Sequence, residues 1–62
     1  MSWTQYEVWA DVDGHQELIE TTHSKKEALA LAKKVFNEGA ERVQVYEESA
    51  DGDYFEIETL SK

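Results

Sequence analysis

Apolar and polar residues alternate over residues 3 to 12, which is the pattern of a half-buried β-strand. Asp13-Gly14 follows directly and favours a two-residue hairpin turn, because both residues tolerate the positive φ angles that such a turn requires. The turn predicts a second strand over about residues 16 to 22 and fixes its register. The predicted pairs are Val12–His15, Ala10–Glu17, Val8–Ile19 and Tyr6–Thr21 on one face, and Trp9–Leu18 and Glu7–Glu20 on the other.

A helical period replaces the alternation over residues 25 to 38. Ser24 and Glu27 have the spacing of a capping box, in which the Ser24 hydroxyl accepts from the backbone N–H of Glu27 and the Glu27 carboxylate accepts from that of Ser24. Gly39 is the residue expected where a helix ends in a left-handed conformation. The apolar stripe of this helix comprises Ala28, Leu31, Ala32, Val35 and Phe36.

Alternation returns over residues 42 to 48 and 54 to 60, which predicts a second hairpin. A three-residue loop over residues 50 to 52, with Gly52 left-handed, keeps the apolar side chains on one face. A two-residue turn would instead mix apolar and charged residues on each face, so the longer loop is favoured. The predicted pairs are Val45–Ile57 and Val43–Thr59.

These elements predict a single α+β domain over residues 1–62, in the order ββαββ. One helix covers only one face of a four-stranded sheet. The shortest connections give an antiparallel sheet with strand order 2-1-3-4 and a right-handed crossover. The predicted core comprises Tyr6, Val8, Ala10, Val12, Ile19, Leu31, Ala32, Val35, Phe36, Val43, Val45, Phe55 and Ile57.

Charge is distributed unevenly along this pattern. The net charge is −8, yet the predicted helix carries four lysines against two glutamates, so the rest of the chain carries about −10. This balance disfavours nucleic-acid phosphate and anionic membranes as direct partners and favours a basic protein surface. No apolar run reaches the roughly 18 residues of a membrane span, and the N-terminus lacks the pattern of a signal peptide. Together with the absence of cysteine, these features predict a cytoplasmic protein.

The uncovered face of the predicted sheet has two central aromatic residues surrounded by carboxylates. Aromatic anchors with a charged rim are typical of protein interfaces. Cross-strand packing alone would also explain the aromatic residues, and solubility alone would explain the acids. The candidate binding residues are Trp9 and Tyr46, with Glu7, Glu20, Glu48, Glu56 and Glu58 around them.

Two features of these acids suggest a use beyond solubility. Glu56 and Glu58, as alternate strand residues, would lie about 6.6 to 6.8 Å apart and form a row of charge that could imitate a phosphate backbone. Glu7 opposite Glu20 would place like charges across a ladder at a cost in stability. Tolerance of that cost would favour a functional role for the charge.

Other candidate chemistry lacks the residues that it needs. A calcium loop beginning at Asp11 requires glycine at its sixth position and glutamate at its twelfth, where this chain has Gln16 and Thr22. His15 and His23 have no third metal ligand or orienting partner in the sequence pattern. We therefore predict no catalytic residues, no metal site and no cofactor, and we expect a protein that is not an enzyme.

The pattern Ser24-x-x-Glu27-Ala28-x-x-x-Ala32, followed by Gly39-Ala40-x-x-Val43-x-Val45, resembles small stand-alone ββαββ proteins of bacteria and phages. These include uncharacterised bacterial domains and some anti-CRISPR inhibitors. The resemblance implies an inhibitor that binds an effector complex and blocks the entry of DNA. No individual binding residue of those proteins can be assigned to a position in this chain.

Two hypotheses of different classes follow. The first is a small non-enzymatic binding protein that engages a basic protein surface, with a nucleic-acid-binding protein as one candidate partner and nucleic-acid mimicry as its sharpest form. The second is a structural homodimer whose two uncovered sheet faces pack together. Dimerisation would bury Trp9 and Tyr46, but it would also bring two acidic rims together unless Arg42 offsets them.

Overall fold

The computed structural model describes residues 2–62 and contains four strands and one helix. All strand pairs are antiparallel and the sheet order is β2-β1-β3-β4, which confirms the predicted α+β class and strand order. The helix covers one face of the sheet. The elements are β1 (Thr4–Val12), β2 (His15–Thr22), α1 (Lys25–Asn37), β3 (Arg42–Ser49) and β4 (Tyr54–Ser61).

Both hairpin turns are confirmed. Asp13 and Gly14 have φ angles of 53° and 83° and connect the paired residues Val12 and His15, as a two-residue turn requires. In the second hairpin Gly52 has a φ of 93°, and the Ser49 N–H donates to the carbonyl of Asp53 at 2.9 Å. Residues 50 to 52 therefore form the three-residue loop.

Each edge strand departs from the predicted register partway along its length. Strand β2 has one extra residue, Ile19, and β4 has one extra residue, Ile57, so that two residues oppose one on the neighbouring strand. Such β-bulges disrupt the ladder locally and increase its twist, and they are common in edge strands. Beyond them the pairs are Val8–Glu20, Glu7–Thr21, Tyr6–Thr22, Val45–Glu58, Gln44–Thr59 and Val43–Leu60.

The predicted pairs Val8–Ile19, Tyr6–Thr21, Glu7–Glu20, Val45–Ile57 and Val43–Thr59 are consequently wrong. The two bulges flank the same central pair, Val8 and Val45, which is fully buried. They change which side chains beyond each bulge share a face with the helix. The predicted Val43–Thr59 pair would put the neighbouring Leu60 on the uncovered face, but Leu60 pairs with Val43 and packs against the core.

The core is small and is centred on valine and alanine. Val8, Val43 and Val45 of the two central strands are completely buried, and Ala28 and Ala32 bring the helix backbone close to them. Side chains at the margin of this cluster remain half-buried. They are Tyr6, Leu29, Leu31, Val35, Phe36, Ile57 and Leu60.

Three residues predicted for the core are exposed instead. Val12 and Ile19 are 39% exposed and Phe55 is 50% exposed. A helix of 13 residues is about 20 Å long, whereas the protein extends over 38 Å. The helix therefore cannot cover both hairpins to their ends, where Val12 and Phe55 lie, whereas Ile19 is the bulged residue of the edge strand β2.

The start of the helix uses Thr22 in addition to the predicted cap. The Ser24 hydroxyl accepts from the N–H of Glu27 at 3.2 Å, as expected. The Ser24 N–H, however, donates to the Thr22 hydroxyl at 3.2 Å, and this hydroxyl donates to the Glu27 carboxylate at 3.0 Å. A threonine side chain thus connects the two halves of the predicted capping box.

We predict that Val45→Ala lowers the free energy of unfolding by about 2 kcal/mol, because it removes buried methyl groups from the centre of the core. This is a large share of the roughly 3 to 9 kcal/mol expected for a domain of this size. Urea denaturation measures the change. Val12→Ala is the matched control and should cost much less, since Val12 is 39% exposed. Equal losses would contradict the assigned core.

Candidate functional site

The sheet face opposite the helix, here called the open face, is not covered by any element of residues 2–62. Because paired strand residues share a face, the register assigns its members strand by strand. Its strand positions carry four carboxylates and one guanidinium. They are Gln16, Leu18 and Thr21 of β2; Gln5, Glu7, Trp9 and Asp11 of β1; Arg42, Gln44, Tyr46 and Glu48 of β3; and Tyr54, Glu56, Thr59 and Ser61 of β4.

The register brings five of the seven predicted binding residues together on this face: Trp9, Tyr46, Glu7, Glu48 and Glu56. The other two, Glu20 and Glu58, lie elsewhere.

Glu20 pairs with Val8 and Glu58 pairs with Val45, and both valines face the helix. The bulge at Ile57 therefore interrupts the predicted row of Glu56 and Glu58. The open face is acidic, but less so than strict alternation predicts.

The carboxylate of Glu7 organises the centre of the open face. Its Oε1 atom accepts a hydrogen bond from the Trp9 indole N–H at 3.0 Å and another from the Tyr54 hydroxyl at 2.7 Å. Glu7 lies directly opposite Tyr46 in the central strand pair. Two donors from different strands therefore converge on one oxygen, and they fix the aromatic side chains around it.

Tyr54 is a member of this site that the predicted binding residues do not include. Its ring centroid is 5.2 Å from that of Tyr46, with the planes tilted by 34°, a favourable separation for an aromatic pair. Trp9, Tyr46 and Tyr54 are called the aromatic cluster below. The sequence contains a signal for Tyr54, because the three-residue loop places it opposite Glu48 and hence on the open face.

The environment of Tyr54 favours its neutral form. Tyr54 is 47% exposed, but partial desolvation of its phenol raises the pKa of Tyr54 to about 12, and the hydrogen bond to Glu7 and the negative charges nearby contribute in the same direction. A second tyrosine behaves similarly on the helix-bearing face, where burial and the neighbouring Glu47 raise the pKa of Tyr6. On both faces, a phenol that is kept protonated can act as a donor to a carboxylate.

Further side-chain hydrogen bonds orient the polar residues around the aromatic cluster. The Gln5 amide donates to Glu48 Oε1 at 2.8 Å, and the Thr59 hydroxyl donates to Glu56 Oε1. Thr59 and Glu56 are three residues apart, so their contact on one face reflects the bulge at Ile57. Three of the four carboxylates of this face, those of Glu7, Glu48 and Glu56, therefore have defined orientations.

Away from the aromatic cluster, polar groups come together at both ends of the sheet. Within residues 2–62 no group of three or more His, Cys, Asp or Glu residues is arranged to hold a metal ion. The Nδ1 atom of His23 lies 3.1 Å from the carbonyl oxygen of Thr4, which ties the end of β2 to the start of β1. At the other end of the sheet, an open polar depression is lined by Asp11, Glu41, Arg42, Ser61 and Lys62.

The described residues contain no helix that is both long and apolar enough to span a bilayer. The chain matches no protein-family model, no curated protein and no solved structure. The assignment of a function therefore depends on the geometry of the open face.

We predict that the stability of the protein falls between pH 10 and pH 12 and that Tyr54→Phe reduces this fall. The Tyr54 pKa is about 12 in the folded state and near 10 in the unfolded chain, so the unfolded state loses its proton first. Its contribution to stability is complete below pH 10 and is lost as the pH rises through 12. Urea midpoints at pH 8, 10 and 11 measure this fall in the wild type and in Tyr54→Phe. The raised pKa of Tyr6 contributes equally to both proteins, so their difference reports on Tyr54. Parallel losses in both proteins would show that Tyr54 has no raised pKa.

Proposed function

We propose that this protein is a small, non-enzymatic binding protein of the cytoplasm whose open face engages a basic surface of another protein. The observation that carries the proposal is the aromatic cluster held by Glu7 on an uncovered sheet face. Trp9 and Tyr54 both donate to Glu7 Oε1, so the cluster is ordered before any partner binds. Surfaces that are ordered in advance lose less conformational entropy on association.

The charge around the cluster favours a basic partner. Four carboxylates and one guanidinium occupy the strand positions of the open face. Opposite charges speed association and penalise acidic competitors, while aromatic residues at the centre supply most of the binding energy in typical interfaces. The helix lysines, Lys25, Lys26, Lys33 and Lys34, are exposed on the other side of the molecule. They therefore do not neutralise the open face.

A narrower form of the proposal names a nucleic-acid-binding protein as the partner. This protein would then occupy a groove that normally holds a phosphate backbone. Such a role agrees with the resemblance to anti-CRISPR inhibitors, which implies an inhibitor that blocks the entry of DNA. Support comes from the excess of carboxylates on the open face, spread over Glu7 and Asp11 on β1, Glu48 on β3 and Glu56 on β4. Added double-stranded DNA should displace the protein from such a partner, because both would compete for the same cations.

The alternative proposal is a homodimer in which two open faces pack together. The exposed Leu18 and half-buried Trp9 and Tyr46 provide apolar area for such contact. The charges oppose it, because each open face would bring four carboxylates and only Arg42 as a cation. We therefore favour a different protein as the partner.

We predict that reversing charge on the open face abolishes partner binding, whereas the same reversal elsewhere does not. The test variant combines Glu48→Lys with Glu56→Lys, and the control combines Glu20→Lys with Glu58→Lys. Both variants have the same net charge, but the control residues pair with helix-facing valines. Quantitative mass spectrometry of proteins captured from the source lysate would compare wild type and both variants.

The expected result is a set of basic proteins that the wild type and the control capture and the test variant loses. Their capture by the wild type should also weaken as salt is added, since screening reduces attraction between exposed charges. If the test variant captures the same proteins as the wild type, binding does not depend on the open face and the proposal is wrong.

Sedimentation equilibrium separates the two proposals. We expect a monomer at low salt, because self-association through the open face places like charges against one another. We also expect a monomer at high salt, because the proposed partner of the open face is a different protein. A dimer that becomes more stable as salt is added would support the homodimer instead, because salt screens the repulsion between the two rims.

A further inference from the structure

Three carboxylates around the aromatic cluster each accept side-chain hydrogen bonds through only one of their two oxygen atoms. Glu7 uses Oε1 to accept from Trp9 and Tyr54, Glu48 uses Oε1 to accept from Gln5, and Glu56 uses Oε1 to accept from Thr59. The Oε2 atom of each makes no side-chain hydrogen bond within residues 2–62. Each carboxylate is thus oriented while one oxygen stays available to a partner, as a binding surface ordered in advance requires.

The register places one of these carboxylates beside each tyrosine of the cluster. Glu48 lies directly opposite Tyr54, and Glu56 lies directly opposite Tyr46. Side chains of directly opposed strand residues have Cβ atoms about 4.5 to 5.5 Å apart. The open face therefore contains two ring–carboxylate pairs in adjacent rows, which are two residues apart along β3.

A guanidinium group fits a ring–carboxylate pair better than an ammonium group does. Its plane can stack on the aromatic ring while its N–H groups donate at the edge of that plane to a carboxylate. Arginine is also less strongly hydrated than lysine, so it loses less on leaving water. The spacing between the two pairs, about 6.6 to 6.8 Å along a strand, equals the separation of residues i and i+2 in an extended segment.

We propose that the open face recognises an extended arginine-x-arginine segment, with one guanidinium at the Tyr54–Glu48 pair and the other at the Tyr46–Glu56 pair. This inference rests on the proposed function and names the chemistry of the partner. A second copy of this chain does not meet the requirement, because its own open face provides only Arg42. The sequence of this protein also contains no arginine besides Arg42.

Fluorescence anisotropy with short labelled peptides tests the proposal. The probe is Thr-Arg-Thr-Arg-Thr, whose β-branched residues favour an extended backbone. The first control replaces both arginines by lysine, and the second, Thr-Arg-Arg-Thr-Thr, puts the arginines on opposite sides of the strand. We expect the probe to bind about tenfold more tightly than either control.

Substitutions in the protein identify the groups responsible. Tyr54→Leu and Tyr46→Leu each remove a ring on which a guanidinium would stack, and each should reduce the preference for arginine to the level of the lysine peptide. Phe55→Leu is the matched control, because Phe55 is an exposed aromatic residue paired with Glu47 outside the open face. Circular dichroism and urea denaturation of each variant confirm that the fold is retained.

The outcomes distinguish this inference from the proposed function. Equal binding of the arginine and lysine peptides, lost in the Glu48→Lys, Glu56→Lys variant, would overturn the arginine inference and leave a basic partner intact. Equal binding of the two arginine spacings would overturn the extended geometry. If none of the peptides binds at millimolar concentration, the arginine inference is wrong, while the proposed function is still decided by the capture of basic proteins from the lysate.

Discussion

One helix packed on a four-stranded sheet can shield only one of its two faces from water. In this protein the shielded face holds the fully buried valines of β1 and β3, against which Ala28 and Ala32 bring the helix close. Small helix residues permit this close approach, but they also limit the apolar area that the core can bury. The core is accordingly compact, and the stability of the domain depends on a few central side chains.

The same constraint determines the character of the open face. Without a covering layer, its central side chains must be ordered by contacts within the face. The structure supplies these contacts through hydrogen bonds to carboxylates and through the Tyr46–Tyr54 ring contact. Glu7 is the central residue of this arrangement, because it accepts from two aromatic residues on different strands. The open face differs from an ordinary solvated sheet surface because its central side chains have fixed orientations although no helix covers them.

Local signals in the sequence were sufficient to predict the order of the elements, the helix and both turns. Ser24 begins the helix, and Asp13-Gly14 and Gly52 specify two turns whose geometry depends on a few neighbouring residues. These elements in turn determine the sheet order, because short connections leave few topologies. The open face and most of its predicted residues follow from the same reasoning.

The bulges were not predicted, because a turn fixes the register only up to the first irregularity. Two departures from strict alternation in the sequence agree with the positions of the bulges. Ile57 and Leu60 both contact the core although they are separated by an odd number of positions, and adjacent Leu18 and Ile19 break the alternation in β2. Side-chain contacts such as Tyr54 with Glu7 depend on rotamers and on the diagonal placement of strands, which the alternation pattern does not encode.

The most direct test of the open face as a binding surface is a nuclear magnetic resonance titration of the labelled protein with Thr-Arg-Thr-Arg-Thr. Its side-chain N–H signals report on each face separately, with the Trp9 indole and the Gln5 and Gln44 amides on the open face and the Asn37 amide at the end of the helix. We predict saturable shifts of the Trp9, Gln5 and Gln44 signals with little change at Asn37. Shifts concentrated at Asn37 and the helix, or none on the open face, would contradict the assignment.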